Sequence, residues 1–470
     1  MSLATGLHAE DFKERKEDAE KWIEDHFQNF KHDLTSVQEK ALERLKNPPS
    51  TYDLIDIMKQ TGGQLDTLPK DWPNIELYKQ DKEHIDAAFE HLSGRIPRTF
   101  VYLDVNPSYF ELLEDHFFYE DGSLNIANFA ELEKKLTYGK FSGYAAVTVS
   151  ERRNQQDIGN ARIKIRLELP NGTNVIPING DVLAIKGENG FLIEQEFSII
   201  TVHNTEYIRI EMKYIDKDSI DEKIIDEQKK FNSNESYREA FGITNHHELF
   251  KLLLNDNYAS GMIKYIDEAL EKMILPLEQG GVEQEYLKDA VRFMEHTNGK
   301  IIFTDRLLGF VPEMMGQPNI EIINKGSGIS NIKNLCIAIN GYTQVEHDNI
   351  IVDFREYDQF KKDITHEIGH LLDLRLGCFV YGRREMFSAN NDNFNTLFEE
   401  AKFKLPENYI FDYAKSNVVE FFAEMFQFIH SDEIFDGKKL SEYIRALLPD
   451  VVDFMEIWLK SNGGEDVIPV

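Results

Sequence analysis

Cysteine is almost missing from this chain: Cys336 and Cys378 are the only two in 470 residues. Two cysteines so far apart make neither a disulfide framework nor a zinc-ribbon spacing, so a reducing environment is acceptable. Basic residues are also scarce: Lys and Arg number 52 against 83 Asp and Glu, for a formal net charge of -31. A phosphate backbone would be repelled, which argues against nucleic acid as a partner. A basic peptide would be attracted, above all into a cleft that concentrates the field. An acidic surface also serves solubility without any ligand. No apolar run approaches the roughly 18 residues that cross a bilayer, so no stable membrane span is expected. The opening MSLATGLHAEDFKERKEDAEKW lacks the apolar stretch and small-residue cleavage site of a signal peptide. It suits a cytoplasmic protein or a chain whose signal has been removed. No repeat with a period of 20 to 50 residues and no low-complexity tract is present.

What is there is ordinary globular composition, 41% hydrophobic and 29% charged. A chain this long exceeds a single core, so two or three domains are expected. The first 50 residues read as helical. Ala19, Ile23, Phe27 and Phe30 recur at helical spacing. A second helix is predicted from Ser36, where Ser36-x-x-Glu39 has capping-box form and Val37, Ala41 and Leu45 make the stripe. Pro48 and Pro49 end it. From about residue 95 the segments 99–105 (TFVYLDV), 144–150 (YAAVTVS), 162–169 (RIKIRLEL), 191–202 (FLIEQEFSIITV) and 207–214 (YIRIEMKY) read as strands. Pro170-Asn171-Gly172 supplies a turn. Helices followed by such a β-rich run predict an α+β domain. The charged stretch 216–230 puts a boundary near 220, giving a helical segment 1–50, an α+β domain 51–220 and a mainly helical domain 221–470. Within the last, 334–339 (NLCIAI) and 349–354 (NIIVDF) are β patches.

Residues 365–370 read THEIGH. Two histidines at i and i+4 on a helix point the same way, so His366 and His370 can meet one metal ion, with Glu367 beside them to take a proton from water. Two surface histidines on an amphipathic helix are the bland alternative. Ile364, Ile368, Leu371 and Leu372 form an apolar side, and Gly377 is placed to cap the C-terminus. Gly369 costs a helix about 1 kcal/mol relative to alanine, and close approach of another backbone would explain it. A catalytic zinc needs a third protein ligand and an open position. Asp373 lies one turn on and is better suited to hydrogen-bond a ligand histidine from outside the coordination sphere. Glu420 and Glu424 share a helical face in NVVEFFAEMFQF, where bare carboxylates would be costly to bury. Asn417-x-x-Glu420 also has capping-box form. Spacing alone ranks the two glutamates level.

The segments 52–66 (YDLIDIMKQTGGQLD), 206–212 (EYIRIEM), 257–260 (NYAS), 303–305 (FTD) and 420–425 (EFFAEM), in order around THEIGH, resemble the anthrax lethal factor family of zinc proteases. The resemblance implies Zn2+ held by His366, His370 and Glu420, with Glu424 as a supporting group outside the coordination sphere. It implies Tyr413, seven residues before Glu420, as an active-site hydroxyl able to donate to an oxyanion. It implies a zincin protease domain after an ADP-ribosyltransferase-like domain, and a secreted toxin that acts in a host cytosol. Basic N-terminal tails of mitogen-activated protein kinase kinases are the family's substrates. Nothing in these residues corresponds to the family's translocator-docking domain, so a translocation partner is not identifiable. Of its tandem helical repeats only one comparable helix, 36–46, is present. The transferase motifs are damaged: Val101-Tyr102-Leu103-Asp104-Val105 has no arginine, the Ser-Thr-Ser-like motif reads Ala146-Val147-Thr148-Val149-Ser150, and the paired-glutamate motif falls on Glu188-Asn189-Gly190 or on Glu194-Gln195-Glu196. The domain is read as a vestigial transferase reused to bind substrate. The expected activity is endopeptidase hydrolysis, with 334–339 as an edge strand that pairs with extended substrate. The alternatives are a non-catalytic binding protein that keeps the protease fold, or an ADP-ribosyltransferase with a structural zinc.

Overall fold

Helix caps, turns and alternating strands set the local structure, and two sheets organise the rest. The computed structural model describes the chain apart from residues 1–8, 29–32, 48–53, 62–63, 69–71, 106–117, 120–122, 126–137, 141–142, 152–161, 188–189, 194–196, 203–204, 216, 245–246, 255–258, 315–327, 345–351, 355–356, 463–466 and 469–470. Phe30, Pro48, Pro49 and both candidate paired-glutamate motifs, apart from Gly190, lie outside the described residues. The fold class is α+β, as the sequence predicts. Two units divide the chain. The first holds Met1–Ile224, Leu254–Met262 and Tyr342–Phe354; the second holds Ile225–Leu253, Ile263–Gly341 and Arg355–Val470.

In the first unit α1 (Lys16–His26), α2 (Ser36–Lys46), α3 (Leu54–Thr61) and α4 (Ile75–Leu92) precede ten strands. These are β1 (Gly94–Ile96), β2 (Thr99–Val105), β3 (Tyr138–Lys140), β4 (Tyr144–Thr148), β5 (Ile163–Leu169), β6 (Thr173–Asn179), β7 (Val182–Lys186), β8 (Gly190–Ile193), β9 (Ser198–Val202) and β10 (Thr205–Ile215). They form one sheet in the order β1-β6-β7-β4-β2-β5-β10-β8-β3, with β9 also on β10. Pairing is antiparallel except between β5 and β10. Val101, Val147, Ile165, Leu167, Ile208 and Ile210 are buried in its core. The capping box sits one residue earlier than predicted, on Thr35 and Gln38, because Thr35 has the extended backbone a cap needs. Phe27 is the C-cap of α1 and does not belong to the helix. The stretch 191–202 splits into β8 and β9. The β6–β7 hairpin went unread, since Pro177 and the bulge beside it interrupt the alternation.

The division between the units falls inside α5 (Lys217–Ser233), where the charged stretch continues one helix. After α6 (Glu235–Phe241), β11 (Phe250–Leu253), α7 (Ala259–Met273), α8 (Gln284–Glu295), β12 (Ile301–Thr304), β13 (Gly328–Asn331) and β14 (Cys336–Asn340), a four-stranded sheet runs β11-β12-β14-β13. The patch 334–339 is therefore not an edge strand. It becomes β14, held on one side by β12 in parallel and on the other by β13 in antiparallel register. Its all-buried CIAIN fits an internal position, and β13 ends the sheet among the described residues. Of the other patch only Val352–Phe354 is described, as β16 paired with β15 (Tyr342–Gln344) in the first unit.

The chain then enters α9 (Tyr357–Tyr381), α10 (Phe387–Asn390), α11 (Asp392–Lys404), α12 (Tyr409–Asp412), α13 (Val418–Ile429), α14 (Leu440–Leu447) and α15 (Pro449–Ser461). From Phe360 to Cys378 every residue of α9 but the half-buried Lys362 is shielded from solvent, so the expected one-sided helix is buried nearly all round. Its polar side chains must then find partners inside. Thr365 donates to the Lys361 carbonyl at 2.7 Å, and Arg375 donates to the Asn462 carbonyl at 2.8 Å. Gly377 does not cap this helix. A Cβ there would fall 1.6 Å from the Glu385 carbonyl oxygen, so glycine lets the returning chain pass. The cap is Gly382, at φ +65°. No helix among the described residues is long and apolar enough to cross a membrane.

Candidate metal centre

Helices α9 and α13 pack against each other in the second unit, and their contact is the site. Gly369 makes it possible: a Cβ there would lie 2.9 Å from the Ala423 Cα, so only glycine lets α13 come this near without displacement. The sequence expectation of a close backbone approach at Gly369 thus has a named partner. Asn417 caps α13 by accepting from the Val419 and Glu420 amides at 3.0 Å each. With that cap satisfied, the Glu420 carboxylate is turned to the histidines. It also sits in the first turn of α13, where the helix dipole favours a negative charge.

Three donor atoms converge. The Nε2 atoms of His366 and His370 are 3.1 Å apart, and Glu420 Oε2 is 3.2 Å from each. Two neutral imidazoles that aim lone pairs at one another repel, whereas a cation between them removes the conflict. Tetrahedral zinc ligands at about 2.0 to 2.1 Å stand roughly 3.3 Å from one another, so the triangle fits a zinc ion held by His366, His370 and Glu420. Glu420 Oε2 is buried without a hydrogen-bond partner among the described residues, which fits the same role. These three residues form the one metal-capable cluster found among the described residues.

The charges agree with that geometry. Burial alone would lower His366, but the carboxylates of Glu420, Glu424 and Glu367 outweigh it and push the imidazole up to about 10. Burial would raise Glu420, yet the two histidines beside it hold its carboxyl well below the usual range. This is an environment that favours positive charge between carboxylates. Glu367 is almost wholly buried, and burial raises its pKa against the pull of the histidines and of Ser330. A carboxylate so placed holds a proton more readily than one in water.

Glu424 Oε1 lies 2.9 Å from His366 Nδ1, on the far side of the ring from the cluster. The approach is close, though not aligned as a good hydrogen bond. Asp373 departs from expectation. Its two oxygens are taken by the Ser388 amide at 2.7 Å and the Ser388 hydroxyl at 2.5 Å, and His370 Nδ1 has no hydrogen-bond partner among the described residues. Burial lifts Asp373 to about 6. It ties α9 to α10 and does not grip a ligand histidine. Tyr413 stands with its ring centroid 5.8 Å from that of His366 and is 55% exposed, so its ring borders the site from the solvent side. Partial burial and the charges of Glu420 and Glu367 raise its pKa, which keeps the hydroxyl protonated as a donor.

One neighbour escaped the sequence reading. Ser330 of β13 donates its hydroxyl to Glu367 Oε2. A serine in a short strand carries no pattern that would single it out.

A family model described as anthrax toxin lethal factor, middle domain, matches residues 9–215. Lethal factor of Bacillus anthracis is similar to this chain, with 26% identity over 397 residues that span 81% of this chain and 45% of the relative. The chain thus spans less than half the length of that relative. Similar solved structures include the C3 exoenzyme of Clostridium limosum, at 16% identity and TM-score 0.37, covering 44% of this chain and 98% of the other. Plx2a, an ADP-ribosyltransferase toxin from Paenibacillus larvae, shows 15% identity and TM-score 0.35, covering 44% and 98%. BECa, an ADP-ribosylating toxin of a binary enterotoxin of C. perfringens, shows 14% and 0.36, covering 61% and 67%.

Proposed function

We propose that this chain, which is lethal-factor-like by the family model and the relative it matches, is a zinc-dependent endopeptidase that cleaves an extended, basic segment of a protein substrate. The observation that carries the reading is the triangle of His366 Nε2, His370 Nε2 and Glu420 Oε2, with the Glu367 carboxylate beside it. His366, His370 and Glu420 would hold Zn2+, which supplies Lewis acidity toward a scissile carbonyl and makes water a stronger acid. Glu367 accepts the proton of the attacking water. With Oε2 engaged by Ser330, Oε1 is the oxygen left to take that proton and pass it to the leaving amine. The Tyr413 hydroxyl donates to the oxyanion as the carbonyl becomes tetrahedral. Glu424 steadies His366 through Nδ1. Asp373 contributes by joining α9 to α10. The substrate-pairing role expected of 334–339 passes to β13, whose outer side can accept an extended peptide by backbone hydrogen bonds.

The first unit is read as a vestigial transferase that binds substrate, and secretion as a toxin with action in a host cytosol follows from the relative's kind. Host kinase kinases are the substrate class the resemblance suggests. The test is incubation with a basic peptide library, with and without a chelator. Wild type is expected to cut in a chelator-sensitive way. Glu367→Ala is expected to keep one zinc per chain while losing roughly 10²- to 10⁴-fold in rate. Cutting at the wild-type rate by Glu367→Ala, or undiminished cutting in chelator, would sink the reading.

A further inference from the structure

We infer that β13 positions the catalytic base: Ser330 and Gly328 together fix the Glu367 carboxylate. The inference rests on the endopeptidase reading for the importance of Glu367, and on geometry for the rest. Successive strand residues point to opposite faces, so Gly328 and Ser330 share one face and Ile329 and Asn331 the other. Ile329 packs on the apolar cluster of Ile302, Leu308, Val311, Met314, Cys336 and Ala338, which turns the face with Gly328 and Ser330 toward α9. Ser330 Oγ donates to Glu367 Oε2 and lies 3.3 Å from the Glu367 carbonyl oxygen. At Gly328 a Cβ would stand 2.9 Å from Glu367 Oε1, 3.2 Å from its Cγ and 3.2 Å from Ile339 Cδ1.

The carboxylate is thus held by a hydroxyl at one oxygen and seated against bare backbone at the other. Any side chain at residue 328 would take the space the carboxylate uses. A buried glutamate has three rotatable bonds, and losing its place by about 1 Å is enough to cost catalysis about 10²-fold. The same short strand, which ends the sheet among the described residues, therefore grips the base on one side, and the endopeptidase reading gives its other edge to substrate. Peptide that pairs with β13 would be set in register with the carboxylate, because one strand fixes both. Ser330 and Gly328 are positioning residues, since neither touches the reacting atoms.

The experiment compares Ser330→Ala, Ser330→Thr and Gly328→Ala with wild type for kcat, KM, zinc content and the crystallographic position of Glu367. Ser330→Ala is expected to lose about 10- to 100-fold in kcat, with KM within about two-fold and zinc content unchanged. Ser330→Thr keeps the hydroxyl and should recover most of the loss. Gly328→Ala should lower kcat in the same manner, with Glu367 displaced. A Ser330→Ala protein with wild-type kcat, or a Ser330→Thr protein as poor as Ser330→Ala, overturns the inference. So does an unmoved Glu367 in crystals of Ser330→Ala and Gly328→Ala. That structural measurement separates the two failures: wild type that cuts nothing would count against the endopeptidase reading, while a displaced Glu367 would still support the role of β13.

Discussion

Two residues at opposite ends of α13, the half-buried Glu420 and the buried C-cap His430, show how much a single side chain can reveal about its surroundings. Glu420 lies in an apolar sequence where an unpaired carboxylate would cost several kcal/mol, and its partners turn out to be two imidazoles. His430, at the other end of the helix, has the opposite environment. Its Nδ1 donates to the Phe426 carbonyl at 2.7 Å, and its ring packs on those of Tyr286 and Phe426. Burial, helped by the charges of Arg445 and Lys361, pulls its pKa down from 6.5 to about 4. Between these values the unfolded chain binds a proton that the native state refuses. His430 therefore favours the native state fully above about pH 6.5, and this contribution fades as pH falls toward 4. The gap is worth roughly 3 kcal/mol. Urea unfolding of wild type and His430→Asn at pH 7 and pH 4 is expected to show wild type losing that much more than the variant. Parallel losses in both proteins would reject the assignment.

At the scale of elements, the site depends on how near α13 lies to α9. Alanine at residue 369 would suit a helix better by about 1 kcal/mol, but its Cβ would meet the Ala423 backbone at 2.9 Å. The overpacking cost of about 1 to 3 kcal/mol outweighs that gain. Because Glu420 rides on α13, the same displacement pulls a proposed zinc ligand away. Gly369→Ala is expected to melt at a lower temperature and to give up zinc to a competing chelator more readily than wild type. Unchanged melting and unchanged zinc affinity together would mean that α13 tolerates the extra methyl. Elements also differ in how legible they were. The helix with THEIGH and the strand 99–105 carry strong periodicity. β11, β12 and β13 are four residues each, too short for alternation to register against the helices around them. Strand order is hidden from the sequence too, so 334–339 reads as an edge or an internal strand alike: an apolar run of that length fits either position until its neighbours are known.

For the whole molecule, the dominant property is its charge of -31. If the substrate is basic, long-range attraction raises the encounter rate and salt screens it. Cleavage of a Lys- and Arg-rich peptide should lose several-fold in kcat/KM between about 0.05 M and about 0.5 M salt, while a neutral peptide with the same scissile residues should change little. Equal salt dependence for the two peptides would show that the acidic surface serves solubility alone. The two units also differ in character. The first is built around one large sheet, the second around a small sheet and a run of helices that carries all the candidate site residues.

The sequence by itself determined the chemistry on offer: two histidines one helical turn apart, a carboxylate between them, and two downstream glutamates at helical spacing. Those relations are local, and helix geometry converts them directly into shared faces. It could not rank Glu420 against Glu424 by spacing, nor tell that Asp373 would turn to Ser388, nor find Ser330. Each of those depends on which element lies across the gap, and contacts between residues 15 or more apart leave no periodic trace in the chain. The tertiary structure decided them by packing: α13 met α9 at Gly369, and β13 closed over Glu367.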